Sequence, residues 1–237
     1  MPLTADFSNT TYILSFDEAM VAAAIGERFG AGDKNSGMSF LEKIIQIPLT
    51  IPKAQPEALK KFCFDMVDNA INAAAVTLTE KEVQRFVFQF TTNILPRLNT
   101  PRLAVRYGNS LSFSLPLLKG EVNMVDLILV DALKIFYPDH YQFIKSNPDY
   151  FIGSYSHFGM GNDQQKMTDI KAHFDLLGKN LNKIDRANSI DLISNLFPNL
   201  DTVYGNFHFS EENKDDWYRG KRIVAPQYFD RYFSYAD

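Results

Sequence analysis

Arg102, Arg106 and Asn109 stand at positions i, i+4 and i+7. On a helix that spacing gathers two guanidiniums and an amide on one face. An arginine fork matches phosphate oxygens two at a time, which makes the trio a candidate for facing a phosphorylated ligand. A solvated helix whose arginines pair with carboxylates would carry the same residues, so spacing alone leaves both readings open. Asp17-Glu18 closes the β-branched, aromatic run TTYILSF at residues 10–16. Apolar residues followed by two acids imitate a strand that ends on magnesium-binding carboxylates. The same acids suit a helix start, and Asp17 is expected to cap a helix over about 18–28.

Other arrangements fall short of the chemistry they imitate. GAGDKNSG, residues 30–37, has the glycines of a phosphate loop without Gly-Lys-Ser/Thr, and it reads as a surface loop. Gly178-Lys179 and Gly220-Lys221 are followed by Asn and Arg and lack the upstream glycine. His140, His157, His173 and His208 form no i, i+4 pair, and no G-x-S-x-G elbow occurs. The one cysteine, Cys63, excludes an internal disulfide and a cysteine-based zinc site. A net charge of -4 over 237 residues gives no global basic field, so no nucleic acid is expected as partner. No run reaches the ~20 apolar residues of a membrane span. MPLTADFSNT lacks the basic and apolar regions of a secretory signal, so a cytoplasmic location is expected.

The elements that must position these residues are mostly helical. TTYILSF reads as a buried strand running into the helix capped by Asp17, and SFLEKIIQ as about two helical turns. IQIPLTIP, residues 45–52, alternates Ile45, Ile47, Leu49 and Ile51; Pro48 bars it from a central strand, so it reads as an extended edge segment. After Pro56, Leu59, Phe62, Cys63, Met66, Ala70, Ile71 and Ala74 share one helical face. Thr79 and Glu82 form a capping box ahead of Val83, Phe86, Val87, Phe90 and Ile94, with Pro96 closing that helix. Thr100-Pro101 starts the helix that carries the arginines. Residues 122–138 are apolar nearly all round and should be a deeply buried helix, followed by a short helix at DHYQFIKSN. SYSHFGMGND, residues 154–163, reads as a linker, followed by helices near 164–178 and 183–197. Residues 200–220 read as polar and irregular, and the aromatic IVAPQYFDRYFSY as packing back on the body.

Taken together, several stretches resemble the KAP family of P-loop NTPases, relatives of the AAA+ ATPases. FSNTTYILSFDEAMVAAAI is similar to the family's strand and helix after Walker B, and GMSFLEKIIQIPLTIP to its most recognisable later stretch. NTPRLAVRYGNSL with PLLKGEVNMVDLILVDALKIFYPDHY resembles the helical part, and KRIVAPQYFDRYFSY the end of the domain. Residues 156–219 carry no resemblance. In the family both Walker motifs lie upstream of FSNTTYILSFD, so the resemblance implies the C-terminal portion of such an enzyme.

The fold class expected is an α-rich α/β protein. Residues 1–53 would be a partial P-loop, AAA+-like core with one or two strands, 54–155 a helical lid, and 156–237 a trailing extension. The resemblance implies ATP and Mg²⁺ in the intact enzyme, with neither held tightly by this chain alone. It implies sensor-type roles for Arg102 and Arg106, a sensor-strand role for Asp17, and a functional or interface role for Glu42 and Lys43. For that last pair an intrahelical surface pair is the plainer alternative. The expected partner is an upstream P-loop segment or another protein. Membrane association would come only through segments outside this chain, and an oligomer is compatible. Bacterial members are associated with phage exclusion. A helical interaction module without hydrolysis, binding through its aromatic C-terminal face, is the alternative function.

Overall fold

The computed structural model describes residues 9–29, 34–52, 54–152, 162–200, 203 and 212–234. The chain divides into two compact units, 1–53 and 54–237. Among the described residues there is no strand. This corrects the expected α/β class: residues 10–16 and 45–52 make no ladder. The physical reason lies in pairing, since a strand is stabilised by its neighbour and not by its own sequence.

In the first unit, α1 (Glu18–Phe29) packs against α2 (Lys34–Ile44). Asp17 caps α1 as expected, its Oδ1 accepting the Met20 N–H at 2.9 Å. The expected loop at 30–37 is shorter than its glycines suggest: residues 34–37 are helical, and 30–33 lie outside the described residues. Ala22 and Gly26 on α1 and Gly37 and Leu41 on α2 are buried. A Cβ on Gly37 would run into the backbone of Ala22, 2.6 Å from its carbonyl carbon. The glycine that costs helix propensity therefore sets the helix–helix distance.

The second unit is helical throughout its described residues. α3 (Pro56–Ala73) buries Cys63, Val67 and Ala70, while Phe62, expected on the core face, is more than a third exposed. α4 (Glu80–Gln89) opens on the expected capping box: Glu82 N–H donates to Thr79 Oγ1, and Thr79 N–H to Glu82 Oε2 at 2.9 Å. The helix then widens into a π-turn over Phe90–Ile94 and tightens at Leu95–Arg97 before Leu98. Phe86, Phe90 and Ile94 face the core, whereas Val83 and Val87 are exposed.

α5 (Pro101–Leu118) and α6 (Met124–Phe136) follow, then α7 (Pro138–Ser146), α8 (Asn162–Leu177) and α9 (Lys183–Leu196). α6 is the axis of the core, buried at every position except Lys134 and Ile135. Residues 153–161, which include most of the expected linker, lie outside the described residues. Within 200–220, Glu212–Arg219 forms a helix, α10, where irregular chain was expected. Phe229 and Tyr232 are buried in the unit's core.

A buried carboxylate ties these helices to the C-terminal segment. Asp126 on α6 accepts from Arg85 Nη2 at 2.5 Å, from Arg222 Nε at 2.7 Å and from the Ile223 N–H at 2.9 Å. Arg85 Nε donates to Asn195 Oδ1 at 2.9 Å and Arg222 Nη2 to the Asn195 carbonyl at 2.8 Å. Burial pushes the Asp126 carboxyl up, but the charges of Arg222 and Arg85 and the Ile223 amide outweigh it, leaving the group below its ordinary value.

Asp126→Asn leaves two arginines facing an amide, and a loss of about 3–5 kcal/mol in urea unfolding is expected. Because the folded-state pKa lies below the usual 3.8, the carboxylate stabilises the fold above that pH. The contribution disappears as the pH falls below it, so wild type loses stability there more steeply than Asp126→Asn. Gly37→Val should separate α1 from α2, read as faster amide exchange in α1, with α3–α9 unaffected.

Candidate functional site

α5 owes its orientation to residues on its inner face. Thr100 Oγ1 accepts the Leu103 N–H at 3.3 Å and Pro101 starts the helix with a preset φ. Ala104, Tyr107, Gly108, Leu111, Leu115 and Leu118 are buried. A Cβ on Gly108 would stand 2.8 Å from Met66 Cε and 3.4 Å from the Met66 carbonyl oxygen, so α3 crosses α5 at this glycine. On the α6 side, Tyr107 Oη donates to the Ile128 carbonyl at 2.9 Å, and Ser114 Oγ to Asp131 Oδ2 at 2.5 Å. These contacts fix the helix rotation.

The opposite face is thereby left to solvent. Arg102, Arg106 and Asn109 are exposed along it, followed by Phe113 and Leu117 toward the C-terminal end. Among the described residues no carboxylate pairs with Arg102 or Arg106. Five other arginines of this unit are paired: Arg85 and Arg222 hold Asp126, Arg97 holds Asp185, Arg186 holds Asp175 and Arg231 holds Glu121, while Arg219, exposed on α10, has no carboxylate partner among the described residues either. The surface-pair explanation offered by the sequence thus finds no partner within the described structure. The arrangement can present two positive charges to an anion that approaches the first two turns of α5.

Asp17 lies in the other unit. Its Oδ1 is engaged with the Met20 amide, and an opening of about 250 Å³ lined by Glu18, Ala19, Asn35 and Met38 lies beside the start of α1. Glu42 and Lys43 are exposed on α2; adjacent residues diverge around a helix, and no ion pair joins them among the described residues.

The two described histidines, His140 and His173, supply no site. His140 is buried between Tyr137 and the ring of Phe174, 5.6 Å away, and burial lowers its pKa to about 4. His173 stacks on Phe143 at 4.8 Å. His157 and His208 lie outside the described residues. Cys63 is buried, with burial raising its thiol, and so lacks thiolate character. No cluster of metal-ligating side chains occurs among the described residues. No described helix is long and apolar enough to cross a membrane.

The polar cluster around Asp126 was missed from the sequence. Its partners are 41 and 96 residues away, and the acid stands inside an apolar helix where only the spelling VDL marks it. Arg97 was likewise unmarked: it donates to Asp185 and lies 5.3 Å from the centre of the Tyr137 ring.

Residues 1–118 match the family model described as the KAP family P-loop domain. No curated protein and no solved structure matches the chain.

Arg102→Ala and Arg106→Ala are expected to shift unfolding free energy by less than about 0.5 kcal/mol, as exposed unpaired side chains do. Gly108→Val should cost about 1–3 kcal/mol by overpacking the α3–α5 crossing. Urea titration of the three variants checks both.

Proposed function

Starting from residues 1–118 as a member of the KAP family of P-loop domains, we propose that the chain is the lid-bearing part of a P-loop NTPase. Its chemistry is completed by a segment carrying the Walker motifs. The observation that carries this reading is the exposed Arg102–Arg106 pair on a helix held rigid by its buried face. Fixed guanidiniums aimed at a transferring phosphoryl group stabilise charge that grows in the transition state, without reorganisation at the moment of reaction.

The residues present fit only part of an ATP-Mg²⁺ site. The α5 face offers donors to outer phosphate oxygens, but the sequence carries no Gly-x-x-x-x-Gly-Lys-Ser/Thr, and no cluster of metal-ligating acids occurs among the described residues. ATP and Mg²⁺ would be held chiefly by the completing segment. Asp17 ends the residue 10–16 run where a sensor group would reach a nucleotide, and its present role is the α1 cap. In this reading the second unit acts as a lid whose position follows the nucleotide and alters the surface offered to a partner protein. Glu42 and Lys43, exposed on α2, are proposed as part of that surface.

The alternative of an interaction module working through its aromatic C-terminal face is less favoured. Phe229 and Tyr232 are spent on the unit's own core, and Tyr228 and Phe233 are packed against it.

The isolated 237-residue chain should release no phosphate from ATP-Mg²⁺ above the background of a mock purification. Turnover that co-purifies with the chain would overturn this reading. In an assembly with the Walker-bearing segment, Arg102→Ala or Arg106→Ala should lower kcat by about 10²–10³-fold, with much less effect on KM. Steady-state kinetics of the two variants would show it, and an unchanged kcat in both removes the sensor role.

A further inference from the structure

Residues 45–52 expose an unusual combination of side chains and backbone. Ile47, Leu49 and Ile51 are 76%, 87% and 80% exposed. The Ile45 N–H closes the last turn of α2 on the Leu41 carbonyl at 2.8 Å. Beyond it, among the described residues, Ile47, Leu49 and Ile51 exchange no backbone hydrogen bond. Aliphatic surface is unfavourable in water, and backbone groups with no protein partner are available for a ladder; addition to a sheet uses both together.

The positions of the prolines decide how. In a strand, side chains alternate between faces, and the N–H and C=O groups of successive residues alternate between edges. Pro48 and Pro52 both fall on even positions, so the even edge lacks two of its four donors. On the odd edge the Ile45 N–H is spent on the last turn of α2, while Ile47, Leu49 and Ile51 keep their donors and acceptors. The same four residues place their aliphatic side chains on one face. Such a strand can pair on one side only, with its other edge closed to further chains. Residues 10–16 contain no proline and carry no such restriction.

We propose that residues 45–51 form a one-sided edge strand that adds, through the backbone of the odd-numbered residues, to the open edge of a P-loop core sheet. A P-loop lies between a strand and a helix, so a domain of this family requires a sheet. The match of residues 1–118 to such a domain, with no strand among the described residues 9–52, identifies that sheet as the occupant. The inference rests on the NTPase reading above, and its test separates the two.

The test is residue-resolved hydrogen exchange on the tagged chain, purified from its own cells with everything that stays bound, against the 237-residue chain made alone. The amides of Ile47, Leu49 and Ile51 should slow by about 100-fold or more in the native assembly, while those of Gln46 and Thr50 stay within about threefold. Equal slowing at odd and even positions, or no slowing across 45–52, overturns the proposal. Leu49→Pro deletes a donor on the pairing edge and Thr50→Pro one on the closed edge; both residues are exposed, so both variants should fold. Only Leu49→Pro should release the covering sheet, and release by both or by neither contradicts the edge assignment. A Walker-bearing cover without alternating protection removes the edge strand alone. A cover without a Walker lysine removes the occupant and the nucleotide reading together.

Discussion

Asp126 is the group on which four separate pieces of the second unit converge. Its carboxylate sits within the most buried helix and is reached by Arg85 from α4, by Arg222 and the Ile223 amide from the C-terminal segment, and through both arginines by Asn195 at the end of α9. Removing a charge from water costs several kcal/mol, and that cost is offset only when all the donors are in place. The network therefore penalises any arrangement in which one of the four pieces is displaced. The apolar core alone would tolerate many such slips, because aliphatic contacts carry no direction.

The cap of α6 extends the same constraint. Asn123 Oδ1 accepts the Asp126 N–H at 3.0 Å, its Nδ2 donates to Glu82 at 3.2 Å, and its own N–H is met by the Tyr232 hydroxyl at 2.9 Å. The Tyr232 hydroxyl in turn donates to the Lys221 carbonyl at 2.7 Å. One helix N-terminus thus joins the capping box of α4 to the last aromatic segment. With α6 fixed in this way, Tyr107 and Ser114 fix the rotation of α5, and that rotation determines which of its side chains meet solvent. The outward Arg102–Arg106 face follows from the buried network on the neighbouring helix, α6.

The first unit follows a different logic. Its organising contact is the close approach of Gly37 to Ala22, which joins two helices, while the apolar residues of 10–16 and 45–52 remain outside that contact. Tyr12, Ile13 and Leu14 are each more than half exposed. An apolar surface of this extent is characteristic of a contact site.

Much of the helical layout was legible in the sequence because its signals are local. Thr79–Glu82, Thr100-Pro101 and Asp17 announce helix starts through bonds reaching three residues, and the apolar run of α6 announces burial through composition. The i, i+4, i+7 spacing likewise placed Arg102, Arg106 and Asn109 on one face before any fold was known. What the tertiary structure decided was everything that depends on distant residues. Whether those arginines find carboxylates and whether Phe62 or Val67 turns inward depend on packing partners far along the chain, and the arginines that neutralise Asp126 stand 41 and 96 residues from it. The strand propensity at 10–16 and 45–52 is real as composition but makes no ladder among the described residues, because a β-ladder is a property of two segments and a sequence describes one at a time.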